Sequence, residues 1–224
     1  MTGSIIPPSP SQSEYEAGDA QTHIVGDHMF KQEDPFALFN EWMMAAKAEE
    51  INDPNAMSLA TIDKDGLPDV RIVLLKDVDK HGFVFYTNGR SKKGQDLADN
   101  SVAALCFHWK SLERSVRIRG AVEKVSDAQS DAYFANRSRG SQIGAWASQQ
   151  SKPLNTRRNL IEATQTIEQK FKDEDVPRPQ HWHGFRVKPQ QIEFWCAQPF
   201  RLHDRLVFSR KTISDGWQKL RLYP

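Results

Sequence analysis

In "DPFALFNEWMMAAKAEEI" the large apolar side chains Phe36, Phe39 and Met43 recur every three or four positions, the spacing of one helix face. Asp34 stands where an N-cap is needed and Pro35 at the first turn, so a helix is predicted to open there. After Asp53-Pro54 the helical period stops. "AMSLATI" (Ala56–Ile62), "VRIVLLK" (Val70–Lys76) and "FVFYT" (Phe83–Thr87) read as strands, separated by "DKDG" and "DKHG", both suited to hairpin turns. "SVAALCFHW" and "RSVRIRGAVEKV" extend the series. Consecutive short strands joined by hairpins pair antiparallel, and a series of this length is expected to close into a barrel.

Helical spacing then returns. Ser126 and Gln129 form a capping-box pattern ahead of "DAQSDAYFANR", "SQIGAWASQQ" reads as a short helix, and "LNTRRNLIEATQTIEQKFKDED" as a longer polar one. "HGFRVKPQQIEFWCA", "RLHDRLVF" (Arg201–Phe208) and "WQKLRLYP" revert to strand. Side chains alternate along a strand, so Arg201, His203 and Arg205 are expected on one face of that octet. The fold class is mostly β with flanking helices: an antiparallel barrel over residues 34–224. The preceding segment, 1–33, is rich in Pro, Ser, Gly and acidic residues and is expected to be a flexible arm.

Composition narrows the function. A formal net charge of +1 over 224 residues lacks the electrostatic footprint of a nucleic-acid or anionic-membrane binder, so neither partner is expected. Cys106 and Cys196 lie far apart in separate predicted strands and read as free thiols of a reducing compartment. Residues 1–30 contain acids but no Lys or Arg, unlike a secretory or transit leader, and a cytoplasmic location is expected. No Walker or Rossmann glycine loop and no G-x-S-x-G elbow is present. "HWH" (His181–His183) offers two imidazoles without a nearby third ligand, and no metal site is expected.

Cations are the informative residues. Arg71 and Lys76 bracket an apolar strand, and "NGRSKKG" places Lys92 and Lys93 at a helix start, where backbone amides and cations together can hold a phosphate. Tyr133, Arg137 and Ser141 in "YFANRSRGS" make a second anion-sized cluster. Tyr86, Trp109, Trp146 and Trp195 fall beside these groups, and a flat, phosphorylated heterocycle suits such a mixture.

"RIVLLK", "FYTN", "SKKG", "SQIGAW", "IEFW" and "RLHDR", in this order and spacing, resemble the pyridoxine (pyridoxamine) 5′-phosphate oxidase family from about Asp34 to the C-terminus. The resemblance implies an FMN-binding split barrel that works as a homodimer with FMN at the subunit interface. It implies oxidation of pyridoxine 5′-phosphate or pyridoxamine 5′-phosphate by O2 to pyridoxal 5′-phosphate, a step of vitamin B6 metabolism that releases hydrogen peroxide, and ammonia from the amine.

Carried over by motif, the FMN contacts fall on Arg71, Ile72, Val73, Leu74, Leu75, Lys76, Tyr86, Thr87, Lys92, Lys93, Ser115, Gln150, Ser151, Trp195 and Arg205. The substrate phosphate falls to Lys76, Tyr133, Arg137 and Ser141, and the pyridine ring to Arg201, Leu202 and His203. Of these, Arg201 and His203 are the implied catalytic residues, and Asp53 resembles an acidic position near the family's site. Two positions depart from the family pattern. Lys92 stands where arginine is usual, and Ser115 where glutamine is usual. The alternatives left open are a different flavin-dependent split-barrel reductase and a non-catalytic carrier of pyridoxal phosphate.

Overall fold

The computed structural model describes residues 30–224 together with Ser13, so most of the expected arm lies outside the described residues. Its last residues are described, and Phe30 is a core residue beside Trp42, with ring centroids 6.2 Å apart. Packing therefore begins before Asp34. The first helix, α1 (Pro35–Glu49), opens as expected, the Asp34 carboxylate accepting the Phe36 N–H. Its buried face centres on Phe39, Trp42 and Ala46, with Met43 at the margin.

Among the described residues nine strands make one sheet: β1 (Ala56–Ile62), β2 (Pro68–Leu74), β3 (Asp77–Asp79), β4 (Gly82–Asn88), β5 (Val102–Trp109), β6 (Arg114–Lys124), β7 (Trp182–Cys196), β8 (Asp204–Ser209) and β9 (Gln218–Leu222). The path runs β2-β1-β5-β6-β7-β4-β3, with β8 and β9 branching from β7. All pairings are antiparallel. The long β7 can branch because its first half pairs with β4 and its second half with β8.

Residues β2 and β3 end opposite edges of this path, yet only Leu75 and Lys76 separate them. Three peptide steps span at most about 11 Å. The two edges must therefore meet, and the sheet curls into a half-barrel with a seam at Leu74–Asp77. Backbone bonds record the crossing: Leu75 N–H donates to the Asn55 carbonyl on the β1 side, and Lys76 N–H to the Val84 carbonyl on β4.

Four helices follow α1: α2 (Lys92–Asp99), α3 (Asp127–Ala135), α4 (Arg139–Ala147) and α5 (Arg157–Lys170). Phe134, Ile143, Phe171, Val176 and Trp182 form a second, smaller core beneath them, beside the seam. Ser126 caps α3 by accepting the Gln129 N–H, while a full reciprocal capping box stands at Thr156 and Asn159, ahead of α5.

Two strand expectations are corrected. The strand expected at Val70–Lys76 runs Pro68–Leu74, because β1 pairs back as far as Pro68 and the seam takes Leu75 and Lys76 out of it. "RLHDRLVF" is not one strand. Phe200 and Arg201 have φ of 55° and 62° in a 3-10 turn (Pro199–Arg201), and β8 starts only at Asp204. Arg201 therefore does not share a strand face with His203 and Arg205, since alternation needs continuous extended backbone.

Phe39 joins α1 to the sheet, its ring 4.9 Å from Phe83, 5.2 Å from Phe107 and 6.3 Å from Trp109. Phe39→Ala is expected to cost about 3–5 kcal/mol. Urea denaturation should show a lower midpoint at unchanged slope.

Candidate functional site

The seam opens into a cavity of roughly 720 Å3. Arg71, Ile72, Val73 and Leu74 of β2 form one wall, Tyr86 and Thr87 of β4 another, and Lys76 lies at the crossing between them. Lys93 enters from α2, Tyr133 from α3, Arg137, Ser138 and Ser141 from the turn into α4, and Gln150 and Trp182 complete the lining. Both anion-sized clusters of the sequence, apart from Lys92, thus meet in one place.

Glycines permit two of these approaches. A Cβ on Gly94 would lie 2.4 Å from the Gly89 carbonyl oxygen, so α2 could not start so close to that loop. A Cβ on Gly184, which pairs with Tyr86 across β4 and β7, would lie 2.6 Å from the Tyr86 ring.

The cavity is cationic and lined on one side by aromatic rings. Lys93 is 8% exposed, and its Nζ lies 3.5 Å from the Ser91 hydroxyl. Burial, then the neighbouring Arg71 charge, lowers the Lys93 pKa. Burial also lowers that of Arg137, whose guanidinium lies over the Trp182 ring at 4.8 Å. Its Nη1 is buried and has no hydrogen-bond partner among the described residues. A buried donor left unmatched costs roughly 1–3 kcal/mol or more when charged, so this nitrogen is suited to an incoming anion. Tyr86, Tyr133 and Trp182 stack nearly parallel, with centroids 4.0 Å, 5.2 Å and 6.0 Å apart. Burial raises the Tyr86 pKa, with the Asp77 and Tyr133 charges adding to it. Cations beside flat rings fit a planar group bearing phosphate.

The remaining expected residues lie elsewhere. Ser115, Trp195 and Arg205 sit abreast on β6, β7 and β8. Arg205 lines a separate cavity of about 400 Å3, with Cys106, Arg117 and Glu193 among its neighbours. Glu193, 5% exposed and missed by the sequence reading, accepts from Arg205 Nε at 2.9 Å and pairs with Arg117 Nη2. Burial opposes its ionisation, but hydrogen bonds from Arg205 and Arg117 outweigh it and lower the pKa. The Trp195 ring lies 4.6 Å from that of His203, and Arg201 and Leu202 are exposed. The Gln198 N–H donates to His203 Nδ1 at 3.1 Å. Burial and the Arg201 charge lower the His203 pKa, favouring a neutral ring with its proton on Nε2.

Several expectations need correcting. Lys92 turns away from the cavity to Asp96 Oδ1, 2.6 Å from its Nζ. Leu75 is a core residue rather than part of the lining. Ser151, φ 69°, is exposed beside Gln150, whose Oε1 accepts from Thr87 at 3.4 Å. Asp53 is exposed and in no described cavity wall. Trp109 is core, its Nε1 donating to the Pro54 carbonyl, and Trp146 donates to that of Pro177. His181 bonds the Ala145 carbonyl and His183 lies by Arg178. Trp182 between them lines the cavity and, like Ser138, was missed by the sequence reading. Among the described residues no cluster of three His, Cys, Asp or Glu could hold a metal, and no helix is long and apolar enough to cross a membrane.

Residues 43–196 match the family described as "Pyridoxamine 5'-phosphate oxidase", and residues 182–224 match its "C-terminal dimerisation region". Pyridoxine/pyridoxamine 5′-phosphate oxidases of Brucella canis and Brucella suis are each 58% identical over 198 residues, covering 88% of this chain and 98% of theirs. Among solved structures, PhzG from Burkholderia lata, in complex with tetrahydrophenazine-1-carboxylic acid, superposes with a TM-score of 0.83 at 26% identity, covering 90% of this chain and 98% of that one. A pyridoxamine 5′-phosphate oxidase-related, FMN-binding protein from Nostoc punctiforme has a TM-score of 0.68 at 14% identity, over 85% of this chain and 98% of its own, and shows the shared fold. The C-terminal match begins at Trp182 and contains Trp195, Arg201, His203 and Arg205, the residues that stand apart from the seam cavity. By sequence and by fold, this chain belongs to the pyridoxamine 5′-phosphate oxidase family.

Proposed function

We propose that this chain is a cytoplasmic, FMN-dependent oxidase. It converts pyridoxine 5′-phosphate and pyridoxamine 5′-phosphate to pyridoxal 5′-phosphate with O2, releasing hydrogen peroxide and, from the amine with one water, ammonia. The observation that carries this reading is the seam cavity, where a buried, unmatched Arg137 donor, Lys93, Arg71 and Lys76 surround stacked aromatic rings.

In this reading Arg71 to Leu74, Lys76, Tyr86, Thr87, Lys93 and Gln150 hold FMN. When bound, FMN supplies the two-electron acceptor that the polar side chains lack. Lys76, Tyr133, Arg137 and Ser141 hold the substrate phosphate. A phosphate carries nearly two charges at neutral pH, and several charge-assisted bonds would fix its position. Trp195, Arg205 and Ser115 act from a second copy of the chain, since they lie on another face of this one. Arg201 and His203 on that copy face the pyridine ring, His203 Nε2 offering the proton that its Nδ1 contact leaves there. Holding ring and acceptor together supplies the proximity advantage.

Turnover tests the reading. Purified protein with FMN, O2 and either substrate should produce peroxide in step with pyridoxal phosphate; binding without turnover would instead indicate a carrier. Arg137→Met should raise the substrate KM by about ten- to a hundredfold, the worth of a lost charge-assisted contact, with FMN affinity within about twofold. Equal weakening of FMN would move Arg137 to the cofactor. Arg201→Met should likewise spare FMN binding and depress turnover, whereas Arg205→Met should lose FMN and recover in excess cofactor. A reversed pattern would exchange the two arginines' roles.

A further inference from the structure

Behind the cavity wall lies a buried polar chain that the reaction itself does not use. Asp96 is 2% exposed and Thr61 1% exposed, and neither lines the cavity. Asp96 Oδ2 accepts from the Thr61 hydroxyl at 2.7 Å, and Arg71 Nη1 donates to the same Thr61 oxygen, also at 2.7 Å. The direction of both bonds is set by chemistry. A guanidinium can only donate and a carboxylate can only accept, so the single hydroxyl proton must point to Asp96 and leave its lone pairs for Arg71. Arg71 Nη1 donates in addition to the Leu59 carbonyl at 3.2 Å, and its Nη2 reaches Asp69 at 2.5 Å. The other Asp96 oxygen takes Lys92.

Resting on the reading of the seam cavity as the FMN site, we infer that Asp96 and Thr61 form a relay that aims the Arg71 guanidinium into the cavity, and that Lys92 is the counter-charge of Asp96. Thr61 is then a positioning residue, acting on the bound group only through Arg71. The arrangement is consistent across levels. Thr61 on β1 sits diagonally across from Arg71 on β2, in the pair register Leu59↔Arg71 and Thr61↔Asp69, and α2 packs Asp96 behind both. Arginine has many rotamers, and locking one before the ligand arrives removes an ordering cost from binding. The carboxylate, with Lys92 and Arg71 on either side, is buried with both oxygens matched. That is the condition under which a buried charge is tolerated.

Thr61→Val is nearly the same shape but has no hydroxyl. The dissociation constant for FMN, read from quenching of flavin fluorescence, should rise about five- to tenfold in Thr61→Val. It should stay within about twofold in Thr61→Ser, which restores the oxygen. In an Arg71→Met background Thr61→Val should have no further effect on FMN affinity, since nothing remains to be aimed. Equal weakening in both backgrounds, or a serine variant as weak as the valine, would overturn the relay. An Arg71→Met variant with unchanged FMN affinity would overturn it too, and would place the fault in the reading of the cavity. If Thr61→Val does not fold, Asp96→Ala gives the same cycle by removing the acceptor that orients the hydroxyl; unchanged FMN affinity in that variant would equally reject the relay.

Discussion

The step from β2 to β3 governs this structure. Two residues, Leu75 and Lys76, carry the chain from one edge of the sheet path to the other, so the sheet can exist only as a curled half-barrel. That closure sets β2 against β4 and makes the wall on which Arg71, Lys76, Tyr86 and Thr87 converge. The small helical core of Phe134, Ile143, Phe171, Val176 and Trp182 then needs only to cap the seam to bring in Tyr133 and Arg137. A longer link would relax the curl and separate these groups without altering any of them.

Charge is organised in two different ways on the two halves of the proposed site. In the seam cavity cations outnumber nearby carboxylates: burial lowers the pKa of Lys93, with the Arg71 charge adding to it, and burial lowers that of the half-buried Arg137. On the face bearing Arg205 the opposite holds, with Glu193 clamped between Arg117 and Arg205. In the proposed site, a phosphate would match the Arg137 Nη1 donor that the first arrangement leaves without a partner among the described residues. The second is already satisfied and holds Arg205 still. A region matched to the family's dimerisation segment contains the second half, so the two arrangements are suited to meet across two copies of the chain.

The amino-acid sequence disclosed the fold where local chemistry decides it. Period-two runs and the "DKDG" and "DKHG" turns located β1, β2 and β4, and the Asp34-Pro35 pair located α1. It misplaced the end of β2 because Leu75 and Lys76 remain extended and differ from strand only in pairing with separate partners, Asn55 and Val84. The Arg201 face was lost to two residues at positive φ, which neither Phe200 nor Arg201 advertises by type. Lys92 and Lys93 are neighbours of one residue type, yet a helix turns one to Asp96 and the other to the cavity. Thr61, Glu193 and Trp182 were invisible because their roles come from partners 10 or more residues away in sequence. The motif resemblance pointed to cationic and aromatic residues that the structure gathers at the seam cavity, but not to the residues that hold them in place.

The central claim is that each site joins the seam cavity of one chain to the Arg205 face of another, and subunit complementation tests it most directly. Arg71→Met disables the first half and Arg205→Met the second. In a mixed dimer of the two variants, both lesions fall in one site and the other is wild type at both positions. FMN titration of purified mixed dimers should recover tight binding at one FMN per dimer, half the parental stoichiometry. Mixed dimers that bind no FMN tightly would contradict the account and place both halves of the site within a single chain.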